Sequence, residues 1–409
     1  MLTDRPPRNL KAMLAEAKDA SELMVDLGYA ALFFGDADMA EEVADLDERL
    51  DVLVHEMRTV CVLAARSPHE AEEMSSVLHV VSAIERMGNA AVAVSRIVTH
   101  RLGIPAGLVA DLAAAEEVSH RARVRDGSAL AHRSLADVEL PTSCGMRVVA
   151  LRRGKDWIVD PDGDVTLVPD DVLIMRGPPG GITTLRELTG APEWRPPTVD
   201  ETSAITDLDR AVDVLVEMKN LSEVAVGLAY SALLLNDLGL AAEVSYLEDR
   251  LDEMRERLEV WVLRAASEQL DPSPLRGLLH LGDAAEEIGD AAQQMVWLVE
   301  KGEEMHPVLA IALGDTDEVT ARVPIAAGSP FDGRTLRVTQ LEIETGYYLL
   351  AIRRAGRYLY RPRGSVTFAA GDELIAVGPD EGHAHLVSLG GFRLLEDEDT
   401  GEVELVPAG

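Results

Sequence analysis

Apolar residues recur at intervals of three and four along residues 8–104, as in Leu46, Leu50, Val54 and Met57, and do so again along 209–305. That is the period of an amphipathic helix with one buried stripe. Breaks at Gly35-Asp36, at Ser67-Pro68 and near Gly103 divide the first stretch into about three long helices. "SPHEAEE" predicts a helix start, with Ser67 as N-cap and Pro68 in the first turn. Residues 117–190 and 318–393 have a different texture. "GMRVVALRR", "DWIVDP", "DVTLV" and "DVLIMRG" are short β-branched runs bounded by Gly, Pro and Asp, and they read as strands. "TGYYLLAIRR", "RYLYRP", "SVTFAA" and "DELIAVG" repeat the set, and a closing helix is expected near 180–189 and 381–389.

The order helical, β-rich, helical, β-rich is a duplication. "ERMGNAA" at 85–91 returns as "EEIGDAA" at 286–292, 201 residues later. The same offset aligns Lys18 with Lys219, Tyr29 with Tyr230, "DERLD" at 47–51 with "EDRLD" at 248–252, and Arg152-Arg153 with Arg353-Arg354. No gap is needed from Lys18 to Leu188, so the repeat governs every other assignment. The predicted fold class is α+β, in two tandem repeats of a three-helix bundle followed by a small β-rich domain. The boundaries are 8–104 and 105–190, a Pro-rich linker at 191–208, then 209–305 and 306–393, with a loose acidic tail at 394–409.

Composition narrows the function. There are 72 acidic against 38 basic residues, a net charge of −34, which disfavours direct contact with nucleic acid. Only five of the basic residues are lysine, and an acidic, Lys-poor surface resembles proteins of salt-loving archaea. Cys61 and Cys144 have Val262 and Thr345 as counterparts, so no thiol chemistry is shared by both halves. The start "MLTDRPPRNL" has no apolar core of a signal peptide, and the longest apolar stretch, 224–244, contains Asn236, Asp237 and Glu243. A cytoplasmic protein is expected. No Gly-x-Gly-x-x-Gly follows a strand, so no NAD site is expected, and no Walker loop, nucleophile elbow or His-Glu-x-x-His supports an enzyme.

Two constellations carry chemistry. Each helical half holds two i,i+4 pairs of oxygen-bearing side chains, Asp47/Asp51 with Glu85/Asn89 and Glu248/Asp252 with Glu286/Asp290. A spacing of four puts both members on one helical face, where paired carboxylates on adjacent helices can hold a hard cation; a solvated acidic face is the plainer alternative. Arg152, Arg153, Arg353 and Arg354 end equivalent strands in an acidic chain, and guanidinium suits bidentate contact with an anionic ligand. Ion pairing with neighbouring acids is the competing account. His79 and His280 read as helix-packing residues.

"AIERMGNAA" and "AAEEIGDAA", following a helix with "DxxxD", resemble the PhoU family of three-helix bundles. That resemblance implies a divalent or ferric metal ion on Asp47, Asp51, Glu85, Glu248, Asp252, Glu286 and Asp290; Asn89 departs from the pattern and weakens the first copy. The stretch 329–382, with "SPFDGRTL", the strand-ending Arg-Arg, "GDEL" and "GP", resembles the TrkA C-terminal (RCK-C) ligand-sensing domain. In the first copy His132 replaces an expected Gly, and Asp170 replaces the Gly before Asp171. This resemblance implies a cytosolic regulatory subunit of a membrane potassium or other cation channel or transporter. The domains of that family act as twofold pairs with a small effector between them, a nucleotide such as cyclic di-AMP or an ion. Here one chain supplies both copies, with a homo-oligomer as a further option. A PhoU-like regulator of phosphate transport is the alternative.

Overall fold

The computed structural model describes residues 9–112, 115, 117–194, 206–268, 272–302, 305–314, 316, 318–396 and 403–408. The first half runs α1 (Leu10–Phe34), α2 (Ala37–Ala64), α3 (Pro68–Thr99), the short α4 (Ala106–Leu112), β1 (Val118–Arg123), α5 (Leu135–Val138), α6 (Leu140–Cys144), β2 (Arg147–Arg153), β3 (Asp156–Val159), β4 (Val172–Gly177) and α7 (Ile182–Thr189). The second half repeats the order as α8 (Asp207–Leu235), α9 (Leu238–Glu268), α10 (Arg276–Lys301), α11 (Pro307–Leu313), β5 (Glu318–Pro324), α12 (Leu336–Thr339), α13 (Leu341–Thr345), β6 (Tyr348–Arg354), β7 (Arg357–Tyr360), β8 (Glu373–Pro379) and α14 (Asp380–Leu389). Most of the linker, 195–205, lies outside the described residues.

The local signals act where the sequence puts them. Ser67 Oγ accepts from Glu70 N at 3.2 Å and starts α3. Gly35 and Asn236 end α1 and α8 in the left-handed conformation, and Asp36 and Asp237 then cap α2 and α9. Leu46, Leu50, Val54 and Met57 are all buried. Pro68–Thr99 has the length and mean hydropathy of a membrane span, but 61% of that window is buried within the protein.

The elements gather into two compact units, and neither follows the chain order. One holds α1–α4 with α8–α11. Within it the two bundles meet through reciprocal contacts: α4 lies on α8 while α11 lies on α1, and α3 meets α10. Lys18, paired with Glu22 at 2.8 Å, places its ammonium over the Tyr230 ring, and Lys219, paired with Glu223 at 2.8 Å, does the same to Tyr29. When residue i of one half meets residue j of the other and j meets i, the halves are related by a twofold. Burial raises both tyrosine hydroxyls above their ordinary range, so they stay neutral.

The other unit holds both β-rich domains. Each is a four-stranded sheet with an equivalent order, β1-β4-β2-β3 and β5-β8-β6-β7. Each has a bulge at the same place, between Val148 and Ala150 and between Leu349 and Ala351. "DVTLV" and "SVTFAA" are not full strands: each makes one isolated bridge, Thr166 to Ser134 and Thr367 to Thr335. The acidic tail also departs from expectation. Val403–Pro407 forms β10 and pairs antiparallel with β9 (Phe392–Glu396), in register from Val403 opposite Glu396 to Pro407 opposite Phe392.

The departures from glycine in the first copy occupy left-handed backbone. His132 has φ +66° where Gly333 has +77°, and Asp170 has +73° where Gly371 has +87°. The His132 and Gly333 amides donate to equivalent carbonyls, Leu167 O and Phe368 O, so the conformation is fixed by the fold. A side chain costs about 1 kcal/mol there. His132→Gly should therefore stabilise the full chain by about 1 kcal/mol in denaturant titration, and Gly333→Ala should destabilise it similarly.

Candidate functional site

The i,i+4 spacing brings the second-bundle carboxylates to the facing surfaces of α9 and α10. Gly289, just before Asp290, lets these helices approach: a Cβ there would lie 2.4 Å from Leu251 Cδ1. Gly88 does the same for α2 and α3, where a Cβ would lie 2.7 Å from Leu50 Cδ2. Glu248, Asp252 and Asp290 present ligand oxygens that all lie within 4.8 Å of one another. Glu286 sits in hydrogen-bonding reach of Asp252, and Glu248 in reach of Asp290.

Four carboxylates so close repel one another. Burial, Asp252 and Asp290 push Glu248 up to about 7, and burial and Asp290 push Glu286 up to about 7 against the pull of Arg255. The compensating groups are few. Gln293 Nε2 donates to Glu248 at 2.7 Å, Arg255 Nε stands 3.9 Å from Glu286, and Arg86 from α3 donates to Asp290 at 2.8 Å. Clustered carboxylate oxygens whose negative charge these groups relieve only in part are a donor set suited to a hard cation, so a divalent or ferric ion fits here.

The first copy is arranged differently. Glu85 is clamped bidentately by Arg58, at 2.5 and 3.2 Å. Asn89 turns its amide to the Glu85 carbonyl at 3.1 Å. Burial and Asp51 raise the Asp47 carboxyl, but among the described residues no three carboxylates converge in this copy. His79 packs against the Trp297 ring, tilted by 35° at 5.2 Å between centroids.

The strand-end arginines take partners of their own. Arg153 Nε and Nη2 donate to Asp171 at 2.9 and 2.8 Å, and Arg354 Nε and Nη2 donate to Asp372 at 2.6 and 2.5 Å. The acceptors are 1% exposed and also accept the backbone amides of Val168 and Ala369. For these two arginines the geometry gives the ion-pair account: a guanidinium already engaged by a buried carboxylate has little left for a ligand. Arg152 lies over the Trp157 ring at 5.6 Å, and Arg353 donates to Glu373 at 3.2 Å. The 18-residue separation between Arg and Asp gave no local cue.

The two sheet domains touch through α6 and α13. Gly145 and Gly346, equivalent residues with φ +71° and +74°, let the backbones close: a Cβ on Gly145 would lie 2.8 Å from Glu342 O, and one on Gly346 would lie 3.1 Å from Pro141. Arg147 donates to Glu318 at 3.0 Å across this contact. Neither glycine nor Arg147 was singled out from sequence.

The PhoU domain family matches residues 14–98 and 215–299, and the TrkA-C domain family matches 120–190 and 320–389. Among solved structures, PhoU from Pseudomonas aeruginosa is similar at 16% identity over 71% of this chain and 93% of that one, with a TM-score of 0.39. The GsuK RCK domain is similar at 14% identity over 67% of this chain and 63% of that one, with a TM-score of 0.17. A GsuK channel bound to NAD is similar at 13% identity over 78% and 65%, with a TM-score of 0.18. No curated protein matches the sequence significantly. The chain is a tandem duplication in which a PhoU domain and a TrkA-C domain, in that order, each occur twice.

Proposed function

We propose that this chain is a cytosolic regulatory subunit that senses a small effector and controls a membrane cation channel or transporter, with potassium as the first candidate. PhoU and TrkA-C domains are regulatory modules. The observation that carries the proposal is the contact between the two TrkA-C domains of one chain, through α6 and α13. A sensor that works as a twofold pair needs two copies, and this chain carries both. The effector is an ion or a small anion such as cyclic di-AMP. Of the four arginines first considered for it, Arg152 and Arg353 are the better placed, because Arg153 and Arg354 hold buried aspartates. The second bundle adds a metal ion held by Glu248, Asp252 and Asp290, with Glu286 beside them. The ion supplies charge neutralisation that draws α9 and α10 together.

The converging carboxylates also favour a second reading, a metal-binding regulator of phosphate transport. Affinity purification of the tagged full chain from native membranes separates the two. A cation permease identified by mass spectrometry is the expected partner. Recovery of a phosphate transporter in its place would overturn the first reading in favour of the second.

A further inference from the structure

The two bundles meet at residues that occupy the same position in each. Arg86 Nε on α3 donates to Glu287 Oε1 on α10 at 2.6 Å, and the two are 201 residues apart, the repeat offset itself. Equivalent residues in contact lie at the twofold that relates the bundles. A symmetric pair at that place would set like against like, arginine on arginine or glutamate on glutamate. The chain instead carries one of each.

The exchange extends one turn further. Arg86 Nη2 donates to Asp290 Oδ2 at 2.8 Å, and Nη1 donates to Gln294 Oε1 at 3.2 Å. The counterpart of Asp290 is Asn89. By the same twofold, an aspartate in place of Asn89 would lie on the Glu287 side of the axis, where it adds repulsion. So the amide that weakens the first metal motif is the residue this contact calls for. Arg86, Asp290 and Glu287 side chains are 35%, 29% and 40% exposed, shielded enough for their charges to be felt.

We propose that exchanged charges at equivalent positions specify which surfaces pair: the α3 face of the first bundle fits the α10 face of the second, and neither face fits a copy of itself. The partner recognised is the complementary half of this chain. The interface is therefore not self-matching, and Asn89 opposite Asp290 in the repeat is part of that asymmetry.

Charge reversals in the full chain, melted in chelator so that metal plays no part, test this. Arg86→Glu sets three acids together and should reduce the folding equilibrium constant of the helical unit roughly tenfold to a hundredfold. Arg86→Glu/Glu287→Arg should recover only part, because the carboxylate introduced on α3 then faces Asp290. Adding Asn89→Asp and Asp290→Asn exchanges every charge across the twofold and should return most of the starting stability, short only of the Gln294 hydrogen bond, because its counterpart is Ala93. Failure of this four-residue exchange to improve on Arg86→Glu, or an Arg86→Glu variant as stable as the parent, overturns the proposal.

Discussion

Arg354→Ala is expected to destabilise the β-rich unit by about 3 kcal/mol, since it strands the Asp372 carboxylate in the interior. The aspartate is 1% exposed and keeps only the Ala369 amide once the guanidinium is gone. Taking one partner from a buried pair costs about 3–5 kcal/mol. The low end applies because the Arg354 side chain is 46% exposed and water screens part of the charge. Over a unit of this size the loss corresponds to a fall in melting temperature of roughly 6–12 °C. Arg153→Ala should do the same in the first copy through Asp171, also 1% exposed. Arg123→Ala is the control: the Arg123–Asp170 pair spans 3.3 Å between side chains that are 63% and 84% exposed, so its loss should stay within about 0.5 kcal/mol. Equal effects for Arg354→Ala and Arg123→Ala would show that the buried aspartates are not what the arginines hold.

Glu248→Gln/Asp290→Asn should lower the affinity of the second bundle for Mn2+ by at least about a hundredfold, since it removes two of three converging carboxylates. Asp51→Asn should change little, because no equivalent trio forms in the first bundle among the described residues. The pH dependence follows from the crowding. Glu248 and Glu286 are pushed up to about 7 from an ordinary 4.5. A carboxyl raised in the folded state binds more protons there than in the unfolded chain between those values. Metal-free stability should therefore fall as pH rises from about 4.5 to 7, with the full penalty present above 7. Metal binding requires the ionised forms, so Mn2+ affinity should strengthen over roughly pH 6 to 8. Thermal melts at about pH 5 and pH 8, with and without Mn2+, should show a metal effect confined to the higher pH. A metal effect as large at the lower pH would contradict this ordering.

Much of the architecture was legible because duplication marks it twice. The ungapped offset located both bundles and both sheet domains, and Ser67 and Gly35-Asp36 act locally, where sequence is informative. β1 and β5 were missed as strands: polar residues interrupt "VSHRAR" and "EVTARVP", so neither shows a continuous apolar run like those within β2 and β4. "DVTLV" misled because Thr166 can bridge only to Ser134 in a sheet ordered β1-β4-β2-β3. The gathering of the two bundles into one unit, and of the two sheets into another, is a property of long-range contact that chain order conceals. For the same reason the sequence placed the carboxylates on their helices but not Arg86 beside them, since that arginine comes from 204 residues away.

We propose that only one of the two duplicated acidic motifs is a cation site, since in the other Arg58 engages Glu85 and Asn89 supplies an amide in place of a carboxylate. Crystals of the full chain grown with Mn2+ at about pH 8, where the carboxylates are ionised, and measured at the manganese absorption edge test it directly. The predicted result is an anomalous peak among Glu248, Asp252 and Asp290, with none at Asp47, Asp51 and Glu85. Peaks of equal height in both bundles, or a peak in the first bundle alone, would contradict it.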